Sequence, residues 1–359
     1  MKQFENIYSG KRVLVTGHSG FKGSWLSLWL TELGADVIGV SLAPETLPNH
    51  WDLLKLSVNE HRIDIREISK LTQVFKDTQP EIIFHLAAQP LVRRSYRDPL
   101  ETWSTNVLGT ANILEASRHS DSVQAVVVVT TDKCYENQEW IWGYRENDTL
   151  GGYDPYSASK ACAEMVVSSF RSSFQRNGSK PLLATARAGN VIGGGDWSED
   201  RLIPDLIRNI ESDHSLAIRS PNATRPWQHV LESLSGYLLL GKNLLSGIEH
   251  FASPWNFGPD PDGNRSVAEV LGKLNRFWSE VKWHTTLDPQ PHEANLLYLD
   301  SAKARALLRW QPVWDLDQTL EKTVDWYRAW MTNKHVITRE QLAGYLTSAQ
   351  NMQIEWISE

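Results

Sequence analysis

Two unbroken apolar runs, at residues 81–85 (EIIFH) and 124–130 (QAVVVVT), constrain this chain more than any other feature. Continuous β-branched runs of this kind belong to strands buried on both faces of a parallel sheet. A parallel sheet needs long crossovers between its strands, and helical patterns fill the gaps. Residues 21–33 carry Trp25, Leu26, Leu28, Trp29 and Leu33 on an apolar side and are closed by Gly34, and 68–75, 99–118 and 155–174 also read as helices. Further strands are expected at 11–16, 36–40, 63–65 and 182–187. This alternation predicts an α/β chain with a Rossmann-like, doubly wound parallel sheet.

The rhythm breaks after Asn190. Gly193-Gly194-Gly195 and prolines such as Pro204, Pro221, Pro226, Pro254, Pro259 and Pro261 punctuate short segments, with good helices remaining at 231–245 and 316–330. The chain has 359 residues, above the roughly 250–300 at which single cores usually divide. The expected organisation is a nucleotide-binding domain over residues 1–188 and a smaller, mixed C-terminal substrate-binding domain over 189–359. The chain is expected to return to the first domain around 225–255.

A formal charge of -7 and a pI of about 5.9 argue against nucleic acid or an anionic membrane surface as a partner. Residues 1–10 are polar and hold no apolar signal core. The apolar stretches at 125–129 and 237–245 fall short of the ~20 residues of a membrane span. Cys134 and Cys162 are the only cysteines, too few for a disulfide framework, so a reducing compartment and a cytoplasmic location are expected. The 11 histidines lack the closely spaced partners of a zinc site, and no catalytic metal is expected. The 16 tryptophans are spread along the chain and read mainly as packing.

Between the first strand and the first helix lies Gly17-His18-Ser19-Gly20-Phe21-Lys22-Gly23, with glycines three apart. There, glycines allow a tight turn and let the backbone approach a pyrophosphate, whose charge meets the positive helix N-terminus. Further on, Tyr156 and Lys160 are four apart and therefore share one helix face. They follow Thr131-Asp132-Lys133, at the end of an expected buried strand. A tyrosine beside a lysine can supply a phenolate that takes a proton from a carbinol as hydride leaves, and Thr131 can hold the same oxygen. Asp132 and Lys133 add a second proton donor and acceptor, which points past simple oxidation.

Together these motifs resemble the short-chain dehydrogenase/reductase family, and within it the extended, nucleotide-sugar-modifying branch. The resemblance covers nearly the whole chain. It implies that Gly17, Ser19, Gly20, Phe21, Lys22 and Gly23 cradle NAD, and that Asp64 and Ile65, ending the third strand, contact its adenine. Leu86, Ala87 and Ala88, after His85, would lie beside the cofactor, as would Tyr156 and Lys160, while Asn106 in the next helix would order the site. Lys160 and the cationic cofactor ring would lower the Tyr156 pKa. The second strand ends Gly39-Val40-Ser41-Leu42, without the acidic residue usual in NAD users. The choice of NAD over NADP therefore rests on the family's need for a tightly held cofactor recycled in place.

Thr131, Asp132, Lys133 and Tyr135 are arranged as in the CDP-glucose 4,6-dehydratases of that branch; its thymidine and guanosine counterparts place a glutamate there. By that resemblance, Tyr156 takes the sugar 4-hydroxyl proton as hydride leaves C4. Asp132 protonates the departing 6-hydroxyl, Lys133 takes the C5 proton, and hydride returns to C6. The product would be CDP-4-keto-6-deoxyglucose, suited to deoxysugars of surface polysaccharide. Asn190, Arg201 and Arg225 would hold the nucleotide and its diphosphate, the arginines through their forked geometry. Tyr298, in a segment beginning His292-Glu293, resembles a distal nucleotide contact. The family also implies a homodimer or homotetramer built on helices 99–118 and 155–174, with contacts from Val107, Ile113, Leu114, Ala161, Met165 and Phe170.

Two other readings use the same scaffold. A 4-epimerase or keto-reductase needs Thr131, Tyr156 and Lys160 only and leaves Asp132 and Lys133 without a task. A non-enzymatic dinucleotide sensor would need neither Tyr156 nor Lys160.

Overall fold

The computed structural model describes residues 2–175, 180–286 and 294–358; His292 and Glu293 lie outside them. Seven strands form the central sheet: β1 (Arg12–Thr16), β2 (Asp36–Ser41), β3 (Asn59–Arg62), β4 (Ile82–His85), β5 (Ala125–Val129), β6 (Leu182–Ala188) and β7 (Pro254–Phe257). All pair in parallel, in the order β3-β2-β1-β4-β5-β6-β7. The winding reverses between β1 and β4, where sheets of this kind bind ligands beyond their strand C-termini. Strands β4 and β5 are buried along their whole length, as their unbroken apolar runs require.

One strand departs from the expectation. β3 is not at 63–65 but at Asn59–Arg62, a polar segment paired with β2 at the sheet edge. An edge strand needs no apolar alternation, so tertiary pairing decides its place. Ile65 is instead buried in the loop beyond, against the second face of the sheet.

That second face is covered by α2 (Ile68–Thr78), α3 (Gly109–Arg118) and α4 (Pro155–Phe174). The expected single helix over 99–118 is broken into Pro99–Trp103, a π turn at Ser104–Leu108, and α3. The first face carries α1 (Phe21–Glu32) and α5 (Val230–Leu245), and its core continues into the helices Leu316–Asn333 and Thr338–Asn351. α1 has no one-sided apolar stripe: every residue from Gly23 to Leu30 is buried. It lies between the sheet and the C-terminal helices, with Trp29 edge-on to Tyr345 and Trp356. Among the described residues ten of the tryptophans are buried, Trp25, Trp29, Trp255, Trp310 and Trp326 completely, in keeping with packing.

Ile113, Leu114 and Ala161, expected at a subunit interface, are buried within this chain instead. The periodicity that marks an apolar face does not say whether the chain's own sheet or a partner covers it. The large apolar side chains left outside on these helices include Leu100, Leu108, Met165 and Phe174.

The rest of the second half is built from short elements. Thr224–Pro226 pairs with Asn264–Ser266, Leu216–Ile218 with Trp283–Thr285, and Val191–Ile192 with Gln228–His229.

Three of the four histidines buried among the described residues make an acid-sensitive core. His50 meets the Thr338 hydroxyl at 2.9 Å, His85 lies between Thr16 and Thr110, and His229 Nδ1 accepts from the Leu231 N–H. Burial pushes each pKa down to about 3. In the unfolded chain the same groups titrate near ~6.5. Below that pH the unfolded state binds protons that the folded state refuses, so stability is lost as pH falls. The loss is about 1.4 kcal/mol per histidine per pH unit. The melting temperature is expected to drop steeply between pH 6.5 and 4; a flat profile there would show these imidazoles to be hydrated.

Candidate active site

A cavity of about 1400 Å³ opens over the C-terminal ends of the central strands and is roofed by loops from the second half. Its floor begins at the glycine loop. Gly17 has φ +71°, and a Cβ there would lie 2.7 Å from the Ala87 nitrogen; one at Gly23 would lie 2.0 Å from the Gly17 oxygen. The loop is thus closed to any side chain at these two positions. α1 starts at Phe21 without a capping side chain, so its first-turn N–H groups are left for an anion. This cradle fits the pyrophosphate of a dinucleotide. The Thr16 hydroxyl accepts from the Leu86 and Ala87 N–H groups, both at 3.1 Å, and so fixes the turn running to Ala88 beside the loop.

At the outer end Ser19, Ser41, Asp64 and Ile65 line the cavity. The Ser19 and Ser41 hydroxyls are 2.8 Å apart, and Arg62 donates to Ser41 at 3.3 Å. Arg66 grips the Asp64 carboxylate and holds its pKa below the usual range. Asp64 and Ile65 therefore stand in the loop beyond β3 rather than at a strand end.

The reactive cluster sits where β5 ends. Asp132–Cys134 form a single tight turn, capped by the Thr131 side chain. Thr131 Oγ1 donates to Asp132 Oδ1 at 2.9 Å and accepts from the Lys133 N–H at 3.3 Å. Among the described residues, the other Asp132 oxygen is buried with no hydrogen-bond partner. Lys133 Nζ is 4.0 Å from Asp132 Oδ1 and remains 24% exposed to the cavity side. α4 begins immediately below, with Pro155 in its first turn and Asp154 capping it through the Ser157 N–H at 2.9 Å. This start places Tyr156 and Lys160 on the cavity wall.

Burial pushes the Tyr156 phenol up to about 12, against the Thr131 hydroxyl and Arg201, which pull it down. The lowering expected from Lys160 and the cationic cofactor ring concerns the loaded site; in the protein alone burial outweighs Thr131 and Arg201. Lys160 is itself pushed down to about 8 by burial, against the pull of Glu164, and donates to the Val129 carbonyl at 3.3 Å. Lys22 bridges the glycine loop and this cluster. It donates to Tyr237 at 3.3 Å, and burial with the neighbouring Arg201 and Lys160 lowers it to about 7.

Asn190, Arg201 and Arg225 line the roof. Arg201 is aimed by a 2.9 Å ion pair with Asp196, and Arg225 donates to the Thr224 carbonyl at 2.8 Å. Asn106 and Tyr298 are not among the lining residues. Asn106 sits in the π turn and works one layer back. It holds both backbone groups of Gln89, at 2.8 and 3.1 Å, and donates to Ser159 at 2.9 Å. Single π turns inside helices are frequent at functional sites. Tyr298 is half-buried, with its carbonyl held by the Tyr144 N–H; Ala294 and Leu297 form the wall there.

Asp196 and the buried pair Glu164 and Arg187 were not singled out as site residues in the sequence. A signal for the pair existed: an arginine inside the apolar strand Leu182–Ala188 demands a buried carboxylate, and Glu164 lies one helical turn past Lys160.

A model of the NAD dependent epimerase/dehydratase family matches residues 13–251. This chain belongs to that family. It is 46% identical over 353 residues to CDP-glucose 4,6-dehydratase of Salmonella typhimurium, covering 96% of this chain and 98% of the relative. dTDP-glucose 4,6-dehydratase of Haemophilus influenzae is 25% identical over 343 residues, 88% of this chain and 97% of that one. Among solved structures, an epimerase of Methanothermobacter thermautotrophicus superposes with a TM-score of 0.80, at 24% identity over 93% of this chain and 96% of its own. Such superpositions establish the shared Rossmann-like fold. The family is NAD dependent, and the glycine cradle described above fits that cofactor.

Proposed function

We propose that this protein is a hydro-lyase that removes water from CDP-glucose, giving CDP-4-keto-6-deoxyglucose. The observation that carries this reading is the buried, half-unpartnered carboxylate of Asp132. It stands beside the Lys133 amine in the same turn as Thr131 and against Tyr156. Simple oxidation or epimerisation leaves that acid without work. The nucleotide assignment is supported by the 46% identity to the Salmonella enzyme.

In this mechanism Tyr156, as phenolate, takes the proton of the sugar 4-hydroxyl while Thr131 holds the oxygen. The Gly17–Gly23 loop would hold NAD, which would supply the redox chemistry, the uptake of hydride from C4 and its return at C6. Lys133 takes the C5 proton, which the new 4-ketone has made acidic. Asp132 protonates the C6 oxygen, so the C6–O bond breaks and water leaves as the C5–C6 double bond forms. Lys133 then returns its proton to C5. The proton gained by Tyr156 equals the one lost by Asp132, and the Thr131 hydroxyl, bonded to Asp132 and beside Tyr156, offers the route that resets both. Asn190, Arg201 and Arg225 hold the nucleotide diphosphate from the roof, Arg201 directed by Asp196.

The test is the mass of the product after incubation with NAD and CDP-glucose. Loss of one water without net build-up of reduced cofactor is expected. Turnover without mass loss would mean epimerisation, and water loss from another nucleotide sugar in preference would overturn the cytidine assignment. We further propose a cytoplasmic enzyme whose product suits deoxysugar and lipopolysaccharide synthesis. No described helix is long and apolar enough to cross a membrane. Copies would pair through the exposed Leu100, Leu108, Met165 and Phe174, which sedimentation showing only monomer at micromolar concentration would refute.

A further inference from the structure

Behind the reactive turn lies a buried ionic network that reaches the cavity wall only through Thr130 and Tyr135. Glu164 and Arg187 are 2% and 1% exposed, and neither lines the cavity wall. The Arg187 fork binds both Glu164 oxygens at 2.9 Å. The same carboxylate accepts from the Thr130 hydroxyl, and from Thr185 at 2.7 Å. All of its hydrogen-bonding capacity is therefore used, two bonds to each oxygen.

The remaining nitrogen of Arg187 reaches forward. It donates to the Tyr135 hydroxyl at 2.8 Å and to the Glu146 carbonyl at 3.1 Å, and the guanidinium lies 4.9 Å over the Tyr135 ring. Tyr135 passes the chain on, donating to Asn256 Oδ1 at 2.7 Å. Asn256, on β7, holds the carbonyls of Tyr144 and Asp300 at 2.8 and 3.0 Å.

The placement along the sequence gives this network its meaning. Thr130 immediately precedes Thr131-Asp132-Lys133, and Tyr135 follows it after one residue. The network thus pins both ends of the turn that carries the acid and the amine, and ties it to the helix bearing Tyr156 and Lys160. Stability alone explains such a pair poorly, because a buried ion pair replaced by well-packed apolar residues often costs nothing.

We propose that Glu164, Arg187 and Tyr135 are positioning residues for the elimination of water: they fix Asp132 and Lys133 relative to Tyr156 and Lys160. This inference rests on the dehydration reading above. The C4 oxidation uses Thr131, Tyr156 and Lys160, the last two anchored by their own helix. Water loss uses Asp132 and Lys133, held from the Tyr135 side. Loosening Tyr135 therefore slows elimination more than oxidation.

The experiment compares wild type with Tyr135→Phe, which keeps the ring and removes only the hydroxyl linking Arg187 to Asn256. Glu164→Gln serves as the second variant, read together with its melting temperature. With NAD and CDP-glucose, water loss in Tyr135→Phe is expected to fall roughly 10-fold or more, the scale of a small misplacement of reacting groups. Reduced nicotinamide, absent from wild type at steady state, is expected to accumulate. The proposal is overturned if water loss keeps its wild-type rate, or if oxidation and water loss fall in proportion with no reduced cofactor. It is likewise overturned if folded Glu164→Gln retains the wild-type balance. Wild type that turns over CDP-glucose without losing water would overturn the dehydration reading itself, and the elimination role with it.

Discussion

Replacing Tyr156 with phenylalanine is expected to lower turnover roughly 10²–10⁴-fold, the usual contribution of a positioned acid–base group. The ring packs against the cavity wall and is 8% exposed, so losing the hydroxyl leaves the fold and the shape of the site in place. What disappears is the acceptor for the 4-hydroxyl proton. Thr131 is a hydroxyl of ordinary acidity, and the Lys160 amine is engaged with the Val129 carbonyl. Affinity for nucleotide sugar should change by no more than a few-fold, because the grip comes from the roof. The measurement is a kcat and KM pair together with binding of CDP-glucose by calorimetry. A variant keeping more than a tenth of wild-type kcat would mean that another group takes this proton.

Asp132→Asn is the more discriminating change. The amide keeps the shape of the carboxyl and can still accept from Thr131 through its oxygen, so the turn should survive. It cannot deliver a proton to a leaving hydroxyl. Water loss is therefore expected to fall by roughly the same 10²–10⁴-fold, while oxidation at C4 continues. The two halves of the reaction come apart, and reduced nicotinamide with the 4-keto sugar should build up in the enzyme on mixing with substrate. Absorbance of the reduced ring after rapid mixing reads this directly. Normal water loss by Asp132→Asn would remove Asp132 from the mechanism and return the epimerase reading to consideration.

The sheet was legible because its central strands are buried on both faces: an unbroken run such as Ala125–Val129 has few other places to go. The glycine loop was legible for a related reason, since Gly17 and Gly23 stand where a Cβ would strike backbone. Residues whose role comes from contacts distant in sequence were harder to read. β3 is polar and is a strand only because β2 lies beside it. Ile113, Leu114 and Ala161 have the periodicity of an interface and the surroundings of a core. The spacing of Tyr156 and Lys160 puts both on one helix face, but the burial that moves their pKa values is a property of the whole fold. Tyr298 resembles a nucleotide contact in sequence, and its neighbours Ala294 and Leu297 line the cavity.

The apolar core that runs from Phe4 through the sheet to Ile357 has a consequence for how the molecule can be taken apart. A fragment ending at β6 would keep the glycine loop and Tyr156 but lose α5, β7 and the C-terminal helices. One face of its sheet, including the outer side of Trp25 and Trp29, would then stand in water. Such a fragment should clump rather than bind dinucleotide, and the intact chain should melt in one cooperative step. Because one cluster draws residues from both halves, a cut after β6 would divide that core, and split versions joined there should recover only if both pieces meet again.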